Sequence, residues 1–369
     1  MNSFALYRLP HQDTCTLVEQ TSGDLQECHS CTDLNGATGY MVAPFEMTAS
    51  QPGVLIRPDR VVEVSLRQTL SFITANPGFH YGNPRVSLRQ TQTPLPSAEN
   101  ERADYASDFR CFHHQLMTGS FQKLVLSRCH VEPRKDGLSP FDLFVTACSL
   151  YPRLFVSLVY TPQTGMWLTA TPEILLDGNG QEWRTIALAG TMKLEDKDLT
   201  GEGEQMCWSA KNIEEQRYVA SYIHDCLKDF SDDIREEGPR TVRAANLVHL
   251  RSDFTFTLLN NARVGELLQA LQPTPAVCGL PKEQANRFIL EHEHSPRLYY
   301  SGFMGPLGLL GQTHLYVSLR CMQIDDQYYR LYAGGGLLRE STESQEWQET
   351  EAKLETMKRC IATKKTSIS

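Results

Sequence analysis

Leu154–Leu188 reads LFVSLVYTPQTGMWLTATPEILLDGNGQEWRTIAL, and this stretch indicates the fold class of the chain. Short runs rich in Val, Ile, Leu, Phe and Trp alternate with loop residues, which is the pattern of consecutive strands. Asp177-Gly178-Asn179-Gly180 separates the last two runs and predicts a hairpin turn. The predicted strands are Leu154–Tyr160, Met166–Ala170, Ile174–Leu176 and Trp183–Leu188.

Helical patterns surround this strand-rich region. Ser97 is a fitting N-cap for a helix that stops at Gly119, and Ser139-Pro140 opens a second helix that runs to about Leu150. Further helices are predicted at Ser209–Phe230, Lys282–Glu291 and Ser344–Ala362, and further strands at Gly53–Arg57, Val61–Leu66, Gln122–Val131, Thr313–Gln323 and Gln327–Tyr332. Helices and hairpin-linked strands mix without a βαβ rhythm. We therefore expect an α+β sandwich, with two largely antiparallel sheets packed against helices.

The domain organisation is expected to be one large domain. Residues 1–95 form a less recognisable N-terminal part, and residues 96–369 carry the patterns that bear on function. Gln90–Pro96, with the sequence QTQTPLP, is predicted to be an exposed connection between them.

Composition and charge exclude several classes of protein. The formal net charge is −9, which argues against a nucleic-acid groove, although a few basic residues can still line a pocket for an anion. No window approaches 18 uncharged apolar residues, and no secretory signal pattern opens the chain, so we expect no membrane span. Scattered cysteines within apolar patterns predict reduced thiols and a cytoplasmic location.

Lys123 and Glu173 are the first candidates for chemistry. Alternation along the strand places Lys123, Val125 and Ser127 on one face, where the lysine is either half-buried or reaches to solvent from a strand end. Glu173 lies where a loop enters an apolar strand, and a glutamate at such an edge is usually solvated.

Two helices carry acidic candidates. Stepping back one turn from Val219 along an apolar stripe leads to Glu215, so this carboxylate is expected on a buried face, where it needs a basic partner or a metal. In the last helix, Glu349 and Lys353 flank the inward stripe at an i,i+4 spacing. A solvated surface salt bridge is the alternative interpretation of that pair.

Arg320 lies in the predicted strand Thr313–Gln323, on the face opposite Leu319 and Cys321. An arginine in an apolar strand suits a carboxylate ligand, because its guanidinium group binds carboxylates through two hydrogen bonds. Just after the next predicted strand, the glycine run Gly334–Gly336 would let a ligand approach the backbone closely. By contrast, Cys28-His29-Ser30-Cys31 has no second cysteine pair at zinc spacing, so we assign it no metal.

Six sequence blocks together resemble, in order, the signature blocks of the chorismate-utilising enzymes, over about residues 100–362. These blocks are KLVLSR (123–128), ATPEILL (170–176), LAGT (188–191), PTPAVCG (273–279), YAGGG (332–336) and EWQETEAKL (346–354). The family includes isochorismate, salicylate, anthranilate and aminodeoxychorismate synthases. The resemblance implies a chorismate-binding fold, like that of aminodeoxychorismate synthase, in which helices sandwich two antiparallel sheets.

Two positions discriminate within the family. Members that add water resemble this chain in carrying Lys123, whereas ammonia-using anthranilate synthases carry glutamine there. Isochorismate synthases carry alanine at the position of Ala276, where salicylate synthases tend to carry threonine. The resemblance therefore implies an isochorismate synthase without a glutaminase subunit. Salicylate synthase, an ammonia-dependent synthase and a degenerate chorismate-binding protein remain the alternatives. Gln272 and Asn212 depart from the family pattern, which carries histidine and aspartate there.

The resemblance also implies the roles of the candidate residues. Lys123 would be the general base that activates water, and Glu173 the general acid that protonates the leaving hydroxyl of chorismate, with burial tuning both groups. Glu215 and Glu349 would hold Mg²⁺. The residues implied to bind chorismate or isochorismate are Gly190, Thr191, Ala276, Arg320, Gly334 and Lys353. The product would serve menaquinone or siderophore biosynthesis.

Overall fold

The computed structural model describes residues 3–76, 98–193, 207–244 and 247–363. The helices are α1 Thr69–Ala75, α2 Ala98–Met117, α3 Pro140–Leu150, α4 Ala210–Leu227, α5 Val264–Leu271, α6 Lys282–His292 and α7 Glu343–Ala362. The strands are β1 Ser3–Arg8, β2 Thr14–Gln20, β3 Gln26–Cys28, β4 Gly39–Ala43, β5 Gly53–Ile56, β6 Arg60–Ser65, β7 Lys123–Pro133, β8 Phe155–Thr161, β9 Gly165–Thr171, β10 Ile174–Gly178, β11 Trp183–Lys193, β12 Arg235–Ala244, β13 Leu247–Phe256, β14 Gly279–Leu280, β15 Phe303–Leu307, β16 Thr313–Val317, β17 Cys321–Ile324 and β18 Tyr328–Leu337.

Within these residues the strands form two 9-stranded sheets. The first sheet has the order β14-β7-β18-β17-β9-β8-β1-β2-β6, and the second has the order β12-β13-β11-β10-β16-β15-β4-β5-β3. The strand pairs, such as β7 with β18 and β11 with β13, run antiparallel. The predicted α+β class with two antiparallel sheets is therefore confirmed.

The N-terminal strands belong to both sheets. β1, β2 and β6 extend one edge of the first sheet, and β4, β5 and β3 extend one edge of the second. The strands predicted at Gly53–Arg57 and Val61–Leu66 correspond to β5 and β6. The connection predicted at Gln90–Pro96 and the N-cap predicted at Ser97 lie outside the described residues.

Aromatic packing joins the two sheets face to face. The rings of Phe155 in β8 and Tyr316 in β16 stack with centroids 4.3 Å apart. The opposite face of the first sheet is covered by α3 and α7, while α4 packs against the second sheet and α5 packs beside α4. This burial of apolar surface on both sheets is the main contribution to the stability of the fold. None of the described helices is long and apolar enough to cross a membrane.

The chain passes from one sheet to the other at two neighbouring places. After β9 it leaves the first sheet through Thr171–Glu173 and enters the second as β10. After β16 it makes the reverse passage through Ser318–Arg320 and enters the first sheet as β17. Because β10 pairs with β16 and β9 pairs with β17, these two crossover segments lie side by side.

The prediction of one continuous strand at Thr313–Gln323 is therefore wrong. Val317 pairs with Phe303 in the second sheet, whereas Cys321 pairs with Thr169 in the first. Between them the backbone of Arg320 adopts a φ of 48°, a left-handed conformation that interrupts a strand. Arg320 thus lies in a crossover segment and not on a strand face.

Two glycine segments also differ from expectation. Gly334–Gly336 lies within β18, paired with Ser127–Val125 of β7, and not in a loop after the strand. Gly190 lies inside β11, which continues beyond the predicted strand end at Leu188, and a register shift between Ala189 and Thr191 marks a bulge there. Gly190 has a φ of 69°, which explains why glycine is required there.

Candidate active site

A narrow cavity lies where the crossover segments meet the inner strands. Almost all residues that the sequence singled out contribute to its wall. The predicted site residues that line it are Glu173, Gly190, Thr191, Glu215, Ala276, Arg320, Gly334 and Lys353. Lys123 and Glu349 stand directly behind this wall, each in contact with one of the lining side chains.

Lys123 is fully buried at the start of β7. Its side chain is 0% exposed, and its Nζ lies 3.0 Å from Oε1 of Glu215. Val125 shares its face and lines the cavity, whereas Leu124 and Leu126 pack into a separate apolar cluster with α2 and α6. The alternative of a strand-end lysine that reaches solvent therefore does not hold.

Glu173 is the acidic group of the first crossover segment. It is 3% exposed, so the alternative of a solvated edge glutamate does not hold. Burial raises the pKa of Glu173 to about 7, although the positive charges of Arg320, Lys123 and Lys353 oppose this rise. A carboxyl group with such a pKa is protonated in a large fraction of molecules at neutral pH, as a general acid requires.

Glu215 projects from the buried face of α4, as its apolar stripe predicts. Its Oε2 accepts a hydrogen bond of 3.2 Å from the backbone N–H of Gly190. Burial alone would raise the pKa of Glu215, but the ammonium groups of Lys123 and Lys211 outweigh burial and hold that pKa below its usual range. The preceding Glu214 is exposed and accepts a hydrogen bond from Tyr218, so the two glutamates have different surroundings.

Glu349 and Lys353 form an ion pair at i,i+4 spacing on α7, as the sequence allows. Nζ of Lys353 lies 2.6 Å from Oε1 of Glu349. The same Nζ donates a hydrogen bond of 2.7 Å to the backbone carbonyl of Gly334 at the cavity wall. The pair is not a freely solvated one, because only 24% of the Glu349 side chain and 11% of the Lys353 side chain are exposed.

Glu346 is a third carboxylate of this region that our sequence reasoning did not assign to the site. It is 1% exposed, and one of its oxygens pairs with Lys211 of α4. Burial, together with the neighbouring charge of Glu349, raises the pKa of Glu346. The signal that could have found it was its i,i+3 spacing from Glu349, which places both carboxylates on one side of the helix.

The glycines of β18 make room for these carboxylates. A Cβ at Gly336 would stand 2.1 Å from Oε1 of Glu215, and a Cβ at Gly335 would stand 3.1 Å from Oε2 of Glu346. Carboxylate oxygens gathered on one backbone segment match the ligand preference of Mg²⁺. Over the described ranges, no group of three or more His, Cys, Asp and Glu side chains already stands close enough to hold a metal. The carboxylates are paired with lysines instead.

Arg320 has a partner that the sequence analysis missed. Its Nη2 lies 3.1 Å from Nε2 of His249 in β13, and Nδ1 of the same imidazole lies 3.2 Å from the carbonyl of Gly190. Burial, with the charge of Arg320, lowers the pKa of His249 well below its usual range, so the ring is neutral. Nδ1–H then donates to Gly190, and Nε2 accepts from Arg320. In the sequence, the only signal was a lone histidine in the apolar run Leu247–Leu250.

The two departures from the family pattern lie next to the site. Gln272 is buried, and its amide donates a hydrogen bond of 2.9 Å to the carbonyl of Ser301. Tyr300, the residue before Ser301, lines the cavity, and its hydroxyl would be 2.7 Å from a Cβ at Gly334. Asn212 stands against Gly190, whose added Cβ would meet the Asn212 carbonyl at 3.0 Å. Both residues therefore support the cavity wall.

Comparisons with known proteins agree with this geometry. A family model described as "Chorismate binding enzyme" matches residues 65–362. The isochorismate synthase MenF of Escherichia coli (strain K12) is 38% identical over 189 residues, which cover 51% of this chain and 43% of that protein. The salicylate biosynthesis isochorismate synthase of Pseudomonas aeruginosa is 31% identical over 252 residues, covering 66% of this chain and 52% of that protein.

A solved structure extends the likeness in fold to nearly the whole chain. The menaquinone-specific isochorismate synthase MenF from Escherichia coli superposes with a TM-score of 0.75 at 22% identity, covering 98% of this chain and 89% of that one. The chain spans about half the length of the curated relatives that it matches in sequence. The cavity is lined by most of the site residues that the sequence predicts. Because the family model covers most of the chain, this chain belongs to the family of chorismate-binding enzymes.

Proposed function

We propose that this chain is an isochorismate synthase that converts chorismate reversibly to isochorismate with the help of Mg²⁺. The reaction adds water at C2 of the ring, removes the hydroxyl at C4 and shifts a double bond. The observation that carries the proposal is the presence of two buried groups of opposite type, the Glu173 carboxyl in the cavity wall and the Lys123 amine directly behind that wall. The sequence relatives are named isochorismate synthases, which supports the same assignment.

Acid and base have separate tasks in this proposal. Lys123 accepts a proton from water as the oxygen attacks C2, because hydroxide is a much better nucleophile than water. The amine has to be neutral for this step, so the proton that it holds in the ion pair with Glu215 must leave before the reaction. Glu173, whose pKa is raised to about 7 by burial, donates its proton to the C4 oxygen, which then leaves as water. One C–O bond forms and one breaks, so the reaction is close to balanced and runs in both directions.

Cationic and backbone groups bind the anionic substrate. Arg320 carries a buried guanidinium group at the cavity and pairs with the enolpyruvyl carboxylate through its planar fork of donors. Lys353 and the bulge at Gly190-Thr191 complete the walls around the ring. Ala276 leaves space beside the substrate where a larger side chain would crowd it.

The metal belongs to the acidic side of the cavity. Glu215 and Glu349 would hold Mg²⁺, with Glu346 beside them. When bound, Mg²⁺ supplies positive charge that neutralises and orients the C1 carboxylate of chorismate. We propose further that the enzyme works in the cytoplasm and needs no glutaminase subunit, because Lys123 takes the place of the residue typical of ammonia-using members.

The test is incubation of the full chain with chorismate and MgCl₂, followed by chromatographic separation of the products. We expect isochorismate without pyruvate, and chorismate when isochorismate is supplied instead. Lys123→Gln, which keeps a polar side chain of similar reach, is the matched inactive control.

Each other product pattern would contradict the proposal in a distinct way. Pyruvate released in equal amount to the chorismate consumed would make the protein a salicylate synthase. Amination in ammonium salts without hydration would mean that Lys123 does not select water. The absence of any product with both substrates would favour a chorismate-binding protein without activity.

A further inference from the structure

Lys211 lies in the first turn of α4, with its ammonium group among the acidic side chains of the site. Nζ forms an ion pair with Oε1 of Glu346, whose side chain is 1% exposed. Burial alone would lower the pKa of Lys211, but the carboxylates of Glu346, Glu215 and Glu349 together outweigh burial and raise it. This ammonium group therefore pairs with Glu346 and also places positive charge near Glu215 and Glu349.

Glu346 has one oxygen in an ion pair with Lys211 and one that pairs with no cation in the described part of the chain. This second oxygen, Oε2, is buried and makes no close hydrogen bond there, although the Ser341 side chain acts on the carboxylate and partly offsets the rise of its pKa. A Cβ at Gly335 would lie 3.1 Å from that oxygen and 3.5 Å from Oε1 of Glu349, so the two carboxylates face the same stretch of backbone. A buried carboxylate oxygen without a partner is costly, and a cation that binds it recovers this cost.

Lys211 differs from the other two lysines that pair with these glutamates. Lys123 is 0% exposed, and Lys353 is additionally anchored to the carbonyl of Gly334. The Lys211 side chain is 24% exposed, compared with 11% for Lys353, and its ammonium group pairs with Glu346. Of the three lysines, Lys211 can therefore move from the acidic region into water most readily.

From these contacts we propose that Lys211 is a place-holder cation, which neutralises the acidic region until a divalent metal displaces it from Glu346 towards solvent. This inference rests on the metal site of the proposed function. An ammonium group and a divalent cation at the same oxygens repel each other, so the lysine has to move before the metal can bind fully. Metal affinity is then set partly by the strength of the Lys211–Glu346 pair.

The test measures Mg²⁺ binding to the full chain by titration calorimetry, without chorismate and without turnover. Lys211→Gln removes the competing charge but keeps a side chain of similar reach, and we expect it to bind Mg²⁺ roughly tenfold more tightly than the wild type. Lys211→Arg keeps the charge and is expected to bind within about twofold of the wild type. Lys228→Gln, at an exposed site in the cap of the same helix, controls for the change in net charge.

A second measurement uses the unmodified protein. Acylation of lysines by a small reagent, read by mass spectrometry, should increase at Lys211 when MgCl₂ is added and stay constant at Lys228. Equal Mg²⁺ affinity of the wild type and Lys211→Gln, or unchanged acylation of Lys211, would overturn the place-holder role alone. Failure of both proteins to bind Mg²⁺ would overturn the metal site as well, and the place-holder role with it.

Discussion

Nη2 of Arg320 lies 3.1 Å from Nε2 of His249, which joins a crossover segment of the chain to the first half of β13 in the second sheet. The imidazole is neutral, because burial and the charge of Arg320 hold its pKa well below the usual range. His249 therefore accepts a hydrogen bond from the guanidinium group without adding charge. The contact orients the proposed carboxylate-binding arginine from within the cavity wall, which His249 also lines.

His249→Phe should raise the KM for chorismate roughly tenfold, the effect of losing one hydrogen bond to a charged group, with a smaller change in kcat. Steady-state kinetics over a range of chorismate concentrations measure both constants. His249→Gln, whose amide oxygen can accept from Arg320, should recover most of the loss. If kcat collapsed while KM stayed constant, His249 would take part in the reaction itself.

Replacement of the proposed base and acid should affect turnover and not folding. Lys123→Gln and Glu173→Gln should each lower the hydration rate by roughly 10²–10⁴-fold, the usual contribution of a general base or acid. Because both act in one displacement, the double variant should be little worse than either single variant. Product formation from chorismate in all three variants measures this. Losses that simply multiply would show that the two residues act independently.

Glu173 should also make stability depend on pH. Its pKa of about 7 in the folded state lies above the ordinary value of 4.5, so folding favours the protonated form. The folded protein therefore loses stability as pH rises from about 4.5 to about 7, by about 3 kcal/mol from this group. Glu173→Gln should remove this loss. The free energy of unfolding of the variant, compared with that of the wild type, should therefore be more favourable at pH 8 than at pH 5.

Urea unfolding of both proteins at these two pH values measures the difference. Glu214→Gln, an exposed neighbour of Glu215, serves as a control carboxylate that should change little. Parallel pH dependence in the wild type and Glu173→Gln would mean that the Glu173 carboxyl titrates as an ordinary solvated group.

Gly336→Ala should disrupt the site while the fold persists. The added Cβ would lie 2.1 Å from Oε1 of Glu215 and 2.8 Å from Cε of Lys123, so both side chains have to move. Displacement of catalytic groups by about 1 Å can cost roughly a hundredfold in rate, which is the loss of turnover that we expect. Gly335→Ala, with its nearest contact at 3.1 Å, should be milder. Equal activity of the two variants would contradict this order.

Removal of Mg²⁺ with EDTA should abolish turnover without unfolding the chain. Lys123, Lys211 and Lys353 neutralise the carboxylates in the absence of metal, so the fold does not depend on the ion. Circular dichroism and thermal melting should be nearly unchanged, while product formation stops and returns with MgCl₂. Glu349→Ala should remain inactive in excess MgCl₂. Full turnover in EDTA would exclude a role of the metal in the reaction. An active Glu349→Ala variant would mean that Glu349 forms only its ion pair with Lys353 and holds no metal.

Sequence patterns predicted much of the fold because burial has a regular period. The stripe that places Glu215 inward follows the helix period, and the alternation that puts Lys123 on the same face as Val125 follows the strand period. Ser139 caps α3 as predicted, with a reciprocal hydrogen-bond pattern to Asp142. Gly119 follows α2 with a φ of 79°, as expected of a helix stop.

The features that the patterns missed depend on tertiary contacts. The alternation of apolar residues continues from Val317 to Cys321, so no local signal marks the passage between sheets at Arg320. Lys211 and Glu346 are distant in sequence and meet only because α4 and α7 approach the same strand. His249 resembles any core histidine until its contact with Arg320 is known.

The two crossover segments have a consequence for how the protein can fail. Glu173 and Arg320 occupy the passages between the sheets, Lys123 belongs to the first sheet, and Glu215 comes from a helix on the second. Neither half of the sandwich contains a working subset of these groups. Partial separation of the two sheets should therefore abolish activity before most secondary structure is lost. Loss of activity would then be a sensitive measure of whether the two sheets remain packed together.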